Sequence, residues 1–339
     1  MKIYTGIDLH SSNNYLVHIN EDDKILLSKR LPNDFGTIKQ YLDPYKESIA
    51  GIVVESTYNW YWLADKLLDA GYPVHLANPS AIQQYSGLKY TDDKWDSRWL
   101  ANMLRLKILP EGYIYPKELR SVRDLLRRRL LFVKQRTAHI LSLQSTIARN
   151  LGIQISGSAI KKLTEDDINS LFDDYHLRIM AQCNLSAIRL FDEKDMQIGK
   201  EVIAHCKLKN EFKRLLTIPG IGNILAMTIM LEVGDIRRFP TAGDYISYCR
   251  CVKSEKYSNN KKKGKNNAKN GNRYLSWAYV EAANYCIRYC KKAEIFYQRK
   301  HASSQKKALA IKALSSKLAR ASYYIMRDDV IFDEDKLFA

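Results

Sequence analysis

From Lys117 to Leu151 no Gly or Pro interrupts the chain. Through that stretch Leu119, Val122, Leu126, Leu130, Val133, Ile140, Leu143 and Ile147 recur at three, four or seven residues. Such spacing gathers apolar side chains on one stripe, so the segment reads as one long amphipathic helix or one member of a coiled coil. It holds nine Lys or Arg against two acids, Glu118 and Asp124, a net +7. The run Arg127-Arg128-Arg129 must place at least one guanidinium near the apolar stripe. A solvated face and nucleic-acid contact through Arg127 and Arg128 are equally good readings of that charge.

The sequence on either side has a different character. Residues 1–110 alternate between strand and helix patterns. Ile3–Ile7, Tyr15–Ile19 and Lys24–Leu31 are short β-type runs, with a hairpin turn at Asn20–Lys24. A helix over Thr37–Leu42, a strand over Ile52–Val54, a helix over Tyr58–Ala70 ended by Gly71 and a strand over Pro73–Leu76 follow. Hairpin strands followed by βαβ units predict a mixed sheet carrying helices. Residues 111–200 comprise the long basic helix and a helical linkage. Residues 201–327 form a mainly α domain with helices over Ala204–Leu216, Asn223–Val233, Thr241–Tyr248, Tyr274–Ala293 and Ser304–Met326. Residues 328–339 read as a poorly packed tail.

Composition narrows the function classes. At 46% hydrophobic and 11% aromatic the chain builds real cores, which excludes wholly disordered and collagen-like chains. No apolar run reaches the ~18 residues of a membrane span, and the strand-like start MKIYTGIDLH is not a signal peptide. The six cysteines form no CxxC pair and read as reduced thiols, with Cys286 and Cys290 in a helical core. A net charge of +17 points to a polyanion, nucleic acid first. Arg250–Arg273 alone carries nine Lys or Arg against Glu255, a net +8. It is rich in Asn and Gly and lies between aromatic helix faces, so it reads as a phosphate-binding loop through Lys261, Lys262, Lys263, Lys265 and Arg273.

Four acids carry the chemistry. Asp8 and Glu55 each end an apolar strand, where open sheets place their sites. Asp93 and Asp96 are three apart in an amphipathic segment with Trp95, Trp99, Met103 and Leu106, so both carboxylates share one helix face. Asp92 is placed to cap that helix. Each ionised carboxylate raises the pKa of its neighbours, and divalent metal relieves that cost. Two such ions can activate the attacking oxygen and stabilise the leaving one in phosphoryl transfer.

GIDLH at Gly6–His10, VVES at Val53–Ser56 and DDKWDSRWLA at Asp92–Ala101 resemble the DEDD-type insertion-sequence transposases related to Piv invertases, the bridge-RNA-guided recombinases. In the second half IPGIG at Ile218–Gly222, EVGDIRRF at Glu232–Phe239 and NGNRYL at Asn270–Leu275 resemble the same family. The resemblance implies an RNase H-like, RuvC-like N-terminal domain with its tetrad at Asp8, Glu55, Asp93 and Asp96, holding Mg²⁺ or Mn²⁺. Ser97 stands where many members have Ala. PGIG reads as a helix-hairpin-helix turn whose Gly220 and Gly222 admit a phosphate, with a plain helix turn as the alternative. The resemblance further implies that Ser258, in KYSNNKKKG, attacks DNA to form a phosphoserine intermediate. Asn260 stands where Gly is common, and Asn tolerates positive φ. Implied partners are donor and target DNA, a guide noncoding RNA and a homodimer assembling to a tetramer, with the long helix as the dimer seam. The implied setting is the bacterial cytoplasm, at the nucleoid. The rival readings are a Holliday-junction-type metal nuclease using water, and a non-catalytic nucleic-acid-binding protein.

Overall fold

Strand β1 (Ile3–Leu9) is buried almost without interruption, as the centre of a covered sheet requires. The computed structural model describes residues 1–82, 92–264 and 270–339. Residues Met1–Lys117 form one unit and Glu118–Ala339 another.

In the first unit β2 (Asn13–Asn20) and β3 (Ile25–Pro32) continue from β1 as an antiparallel meander. After α1 (Phe35–Leu42) the chain returns as β4 (Ile49–Glu55), parallel to β1, with Ile7 opposite Val54. Helix α2 (Tyr61–Asp69) leads to β5 (Val74–Ala77), parallel to β4. Helix α3 (Asp93–Arg105) and the two-residue β6 (Glu111–Gly112) complete a sheet of order β3-β2-β1-β4-β5-β6. The expected mixed sheet is therefore present. The short strand β6, antiparallel to β5, has no counterpart in the sequence pattern. Helix α2 starts at Tyr61 rather than Tyr58, because residues 58–60 form a turn.

Gly6 sets the distance between α3 and the sheet. A Cβ at Gly6 would lie 1.9 Å from the Ser97 carbonyl oxygen and 2.9 Å from the Ala101 nitrogen. Both obstacles are helix backbone, so relief requires moving α3 itself. Gly6→Ala should cost the first unit ~1–3 kcal/mol or more, the usual cost of overpacking. Thermal unfolding checks this, and an unchanged melting temperature would show that α3 shifts freely.

The second unit opens with α4 (Lys117–Leu151), whose bounds match the uninterrupted stretch of sequence. Helices α5 (Gly157–Ile160) and α6 (Glu165–Leu171) follow, then α7 (Tyr175–Cys206), which is 32 residues long. The helical linkage is thus a full partner helix. Arg129 and Arg136 of α4 pair with Asp195, Arg136 also pairs with Asp192, and His139 meets Asn184, so α4 and α7 run antiparallel. Ile140, Leu143 and Ile147 share a core with Ala181, Leu185 and Ile188. The stripe expected to be a dimer seam is covered there by this chain's own α7.

The remaining helices are α8 (Asn210–Leu215), α9 (Asn223–Val233), α10 (Ala242–Tyr248), α11 (Arg273–Tyr289), α12 (Lys291–Ser304), α13 (Lys307–Asp328) and α14 (Glu334–Phe338), with a hairpin of β7 (Lys256–Ser258) and β8 (Lys261–Gly264) between α10 and α11. Three expectations are corrected. The helix over Ala204–Leu216 is two pieces, the end of α7 and α8. The helix over Tyr274–Ala293 breaks at Cys290, whose backbone is extended (φ −131°, ψ 113°), so that α12 can turn and bury Ala293 and Phe296. The tail is packed: Phe338 meets Phe296 with ring centres 5.9 Å apart, and the Phe332 amide donates to Thr217 Oγ1 at 2.9 Å. Cys286 and Cys290 lie in the core as expected. Among the described residues no helix is long and apolar enough to cross a membrane.

Candidate active site

The register that sets Ile7 opposite Val54 brings the next residues, Asp8 and Glu55, side by side at the carboxyl ends of two parallel strands. Helix α3 crosses β1 there. Asp92 caps it, accepting from the Trp95 amide at 2.7 Å, as expected of that residue. Asp93 and Asp96 then fall in its first turn. Buried Ser97 joins helix to sheet. Its Oγ accepts from the Asp8 amide at 3.3 Å and lies 2.8 Å from both the Tyr15 and Asp93 carbonyl oxygens. An alanine there could make none of these bonds, so the hydroxyl is a local reinforcement behind the acids.

The electrostatics show that the four carboxylates share one neighbourhood. Burial first, then the charge of Asp8, pushes Glu55 up to about 7. Burial and then Asp8 and Asp93 push Asp96 up to about 6. Burial raises Asp8 as well, against the opposing pull of His10. The Asp8 and Glu55 carboxyls act on each other directly, which adds to the rise of Glu55 and works against the rise of Asp8. Asp93 goes the other way, held down chiefly by the Arg30 guanidinium, whose Nη2 donates to Oδ2 at 2.6 Å.

Two neighbours were not singled out from the sequence. His10 places Nδ1 3.5 Å from Asp8 Oδ1 and Nε2 3.2 Å from Asp93 Oδ1. Ligand atoms of Asp8, His10 and Asp93 all lie within 4.8 Å of one another. Its signal was available, two residues beyond Asp8 at the strand end. Arg30 had none, since only the ladder Asp8–Tyr15–Arg30 across three strands brings it near. A cluster of one buried and three half-buried carboxylates, hard oxygen donors that repel one another, fits a divalent cation, which the imidazole can join.

In the second unit Ser258 ends β7 and is exposed. It pairs with Lys261 across a turn formed by Asn259 and Asn260, at φ 50° and 57°. Both asparagines are left-handed, as a tight two-residue hairpin turn demands, so Asn260 takes the backbone position that Gly would. Lys261 and Lys263 are exposed; Lys265 lies outside the described residues, as does the side chain of Lys262. Arg273 opens α11, exposed, over the Tyr274 ring. Gly222 is the open N-cap of α9, whereas Gly220 (φ 90°) is pressed against α11, where a Cβ would lie 2.5 Å from the Cys286 nitrogen. Gly220 therefore answers to helix packing.

Arg128 is exposed, but Arg127 faces inward, so its placement corrects the expectation of a free phosphate contact. Its Nε and Nη2 donate to the two oxygens of buried Glu232 at 2.6 and 2.7 Å. Glu232 Oε2 also accepts from the Asn272 side chain at 2.7 Å, and Asn272 caps α11. One carboxylate thus ties α4, α9 and the return of the basic loop. Glu232→Ala should cost ~3–5 kcal/mol, because it strands a guanidinium and an amide. Denaturant unfolding measures this; a loss below ~1 kcal/mol would show that water replaces the carboxylate.

Comparison with known proteins decides what these pieces belong to. A family model described as "Transposase", of the DEDD IS110 type, matches residues 5–149. A second, "Transposase IS116/IS110/IS902 family", matches residues 212–298. The chain belongs to the IS110 family of insertion-sequence transposases. It is similar to the transposase for insertion sequence element IS1111A of Coxiella burnetii, at 23% identity over 318 residues, covering 91% of this chain and 82% of that protein. A probable family 20 transposase of Pseudomonas aeruginosa is 23% identical over 30% of each chain. An uncharacterized insertion element IS110 protein of Streptomyces coelicolor is 26% identical over 35% of this chain and 29% of its own. As an IS110-family transposase the chain is a DNA-cleaving and rejoining enzyme, and the DEDD type suggests a divalent metal.

Proposed function

We propose that this transposase is a bridge-RNA-guided recombinase that cuts and rejoins DNA through a Ser258 phosphoserine. The observation that carries the reading is the convergence of Asp8, Glu55, Asp93 and Asp96 at the ends of β1 and β4 and the first turn of α3. The sheet order, with β1 between an antiparallel and a parallel neighbour, supports an RNase H-like domain. The α8–α9 pair around Ile218–Gly222 supports a helix-hairpin-helix unit.

In this reading the tetrad holds Mg²⁺ or Mn²⁺, with His10 beside it. A metal held by these residues would supply Lewis-acid polarisation of the phosphodiester and stabilisation of its developing charge. Burial shields Asp8 from water, and Arg30 fixes the more open Asp93. Ser258 Oγ bonds to phosphorus as a deoxyribose oxygen leaves, and a second DNA hydroxyl later reverses the exchange. Guide RNA supplies sequence recognition, so the protein's basic residues need read only backbone and shape. Arg128, Lys261, Lys263 and Arg273 suit that task. The assembly is a homodimer that pairs into a tetramer.

The test is incubation of the protein with element-end DNA, the element's noncoding RNA and Mg²⁺, followed by denaturing electrophoresis. A protein–DNA adduct is the expected product. Free cut ends without adduct would make the protein a water-using nuclease, and intact DNA would make it a binder.

A further inference from the structure

A cavity of about 390 Å³ opens among the end of α10, the face of α11 and the start of α13. Arg250, Lys307 and Lys312 line it, with Ser276 and Asn284 of α11 adding a hydroxyl and an amide, and no carboxylate is among its lining residues. Neither lysine has an ion-pair partner among the described residues. Arg250 is fixed in place, because its Nε and Nη2 donate to the Gly271 carbonyl at 3.0 and 2.7 Å. Burial, and then the charge of Arg273, draws the Arg250 pKa below its ordinary value. The cavity therefore gathers like charge where low-dielectric walls focus the field, and none of its lining residues is an anion.

We propose that this cavity binds one phosphodiester of a nucleic-acid backbone. Lys307 and Lys312 are ammonium donors for the two non-bridging oxygens, and Arg250 is a fixed charge behind them. Ser276 and Asn284 offer polar groups to the ester and sugar oxygens. Arg250 and Gly271 also bracket the segment that carries Ser258, and Asn272 beyond them donates to Glu232. A phosphate held here anchors the nucleic acid at the root of that loop. The inference deepens the recombinase reading and rests on it for its ligand.

Fluorescence anisotropy of the full chain with a short duplex of unrelated sequence, titrated across salt, tests it. The double variant Lys307→Gln, Lys312→Gln should make the slope of log affinity against log salt shallower by about 0.9, one phosphate contact. Asn284→Trp, which blocks the cavity without changing charge, should do the same. Combining all three should give no further loss. Val280→Phe is an independent block should Asn284→Trp not fold, judged by circular dichroism. If neither blocking variant changes the slope while the lysine variant does, the lysines are ordinary surface charge and the proposal falls. Millimolar inorganic phosphate at constant ionic strength separates the ligand sources. A rise in wild-type melting temperature that Asn284→Trp abolishes would make this a free-phosphate site and overturn the backbone assignment. The slope needs no catalysis, so a missing adduct with the predicted slopes would overturn the recombinase reading and leave the cavity standing.

Discussion

Asp96→Asn should abolish DNA cleavage while leaving the fold at least as stable as before. The substitution is nearly isosteric and removes one carboxylate from the place where charge must be neutralised. In the proposed mechanism that carboxylate helps hold the cation that stabilises charge in phosphoryl transfer, so its loss removes that stabilisation. Stability moves the other way. Asp96 is pushed up to about 6 by burial and by its acidic neighbours, so its ionised form is unfavourable in the metal-free protein. Glu55, pushed up to about 7, behaves alike. Between the ordinary values of 3.8 and 4.5 and these raised ones, the folded state binds more protons than the unfolded. The stability these groups contribute is therefore full in acid and lost as pH rises through about 6 to 7. With chelator present, wild-type melting temperature should fall over that window, Asp96→Asn should fall less, and Mn²⁺ should restore the wild type. Wild-type cleavage by Asp96→Asn, or identical pH profiles, would remove the acid cluster from the mechanism.

Local signals made much of the fold readable. The gap in Gly and Pro set α4 to the residue, and Gly222 and Gly234 bracket α9 as the sequence suggested. That the four acids lie together was readable because each stands at a strand end or helix start. What stayed hidden depends on tertiary partners. The break at Cys290 has no Gly or Pro, and follows from the need of α12 to bury Phe296. Helix α7 was obscured because its acids, Asp192 and Asp195, look like solvent-facing charge until α4 brings Arg136 to them. Glu232 is 3% exposed, and nothing near it in sequence signals this, because its partner Arg127 lies 105 positions away. The β7–β8 hairpin lacked apolar alternation, and only the pair Asn259-Asn260 signalled its turn.

Ser258→Ala should eliminate the protein–DNA adduct and recombination while leaving DNA binding intact. Ser258 sits exposed beside a two-residue turn held by left-handed Asn259 and Asn260, so its hydroxyl is presented outward by a tight backbone. A serine hydroxyl is a weak nucleophile at neutral pH, and its attack requires metal or a base to carry the developing charge. The second unit provides position and cations there, while the acid tetrad belongs to the first. Loss of either should block adduct formation by different routes. Ser258→Ala removes the attacking oxygen but no charge, so the salt slope of DNA binding should stay at its wild-type value. Ser258→Cys keeps a nucleophile of softer character, poorly suited to Mg²⁺, and should leave at most a trace. Ser254, half-buried four residues earlier, is the internal control. Ser254→Ala should form adduct at the wild-type rate. Adduct in Ser258→Ala, lost when Ser254 is also replaced, would move the nucleophile to Ser254.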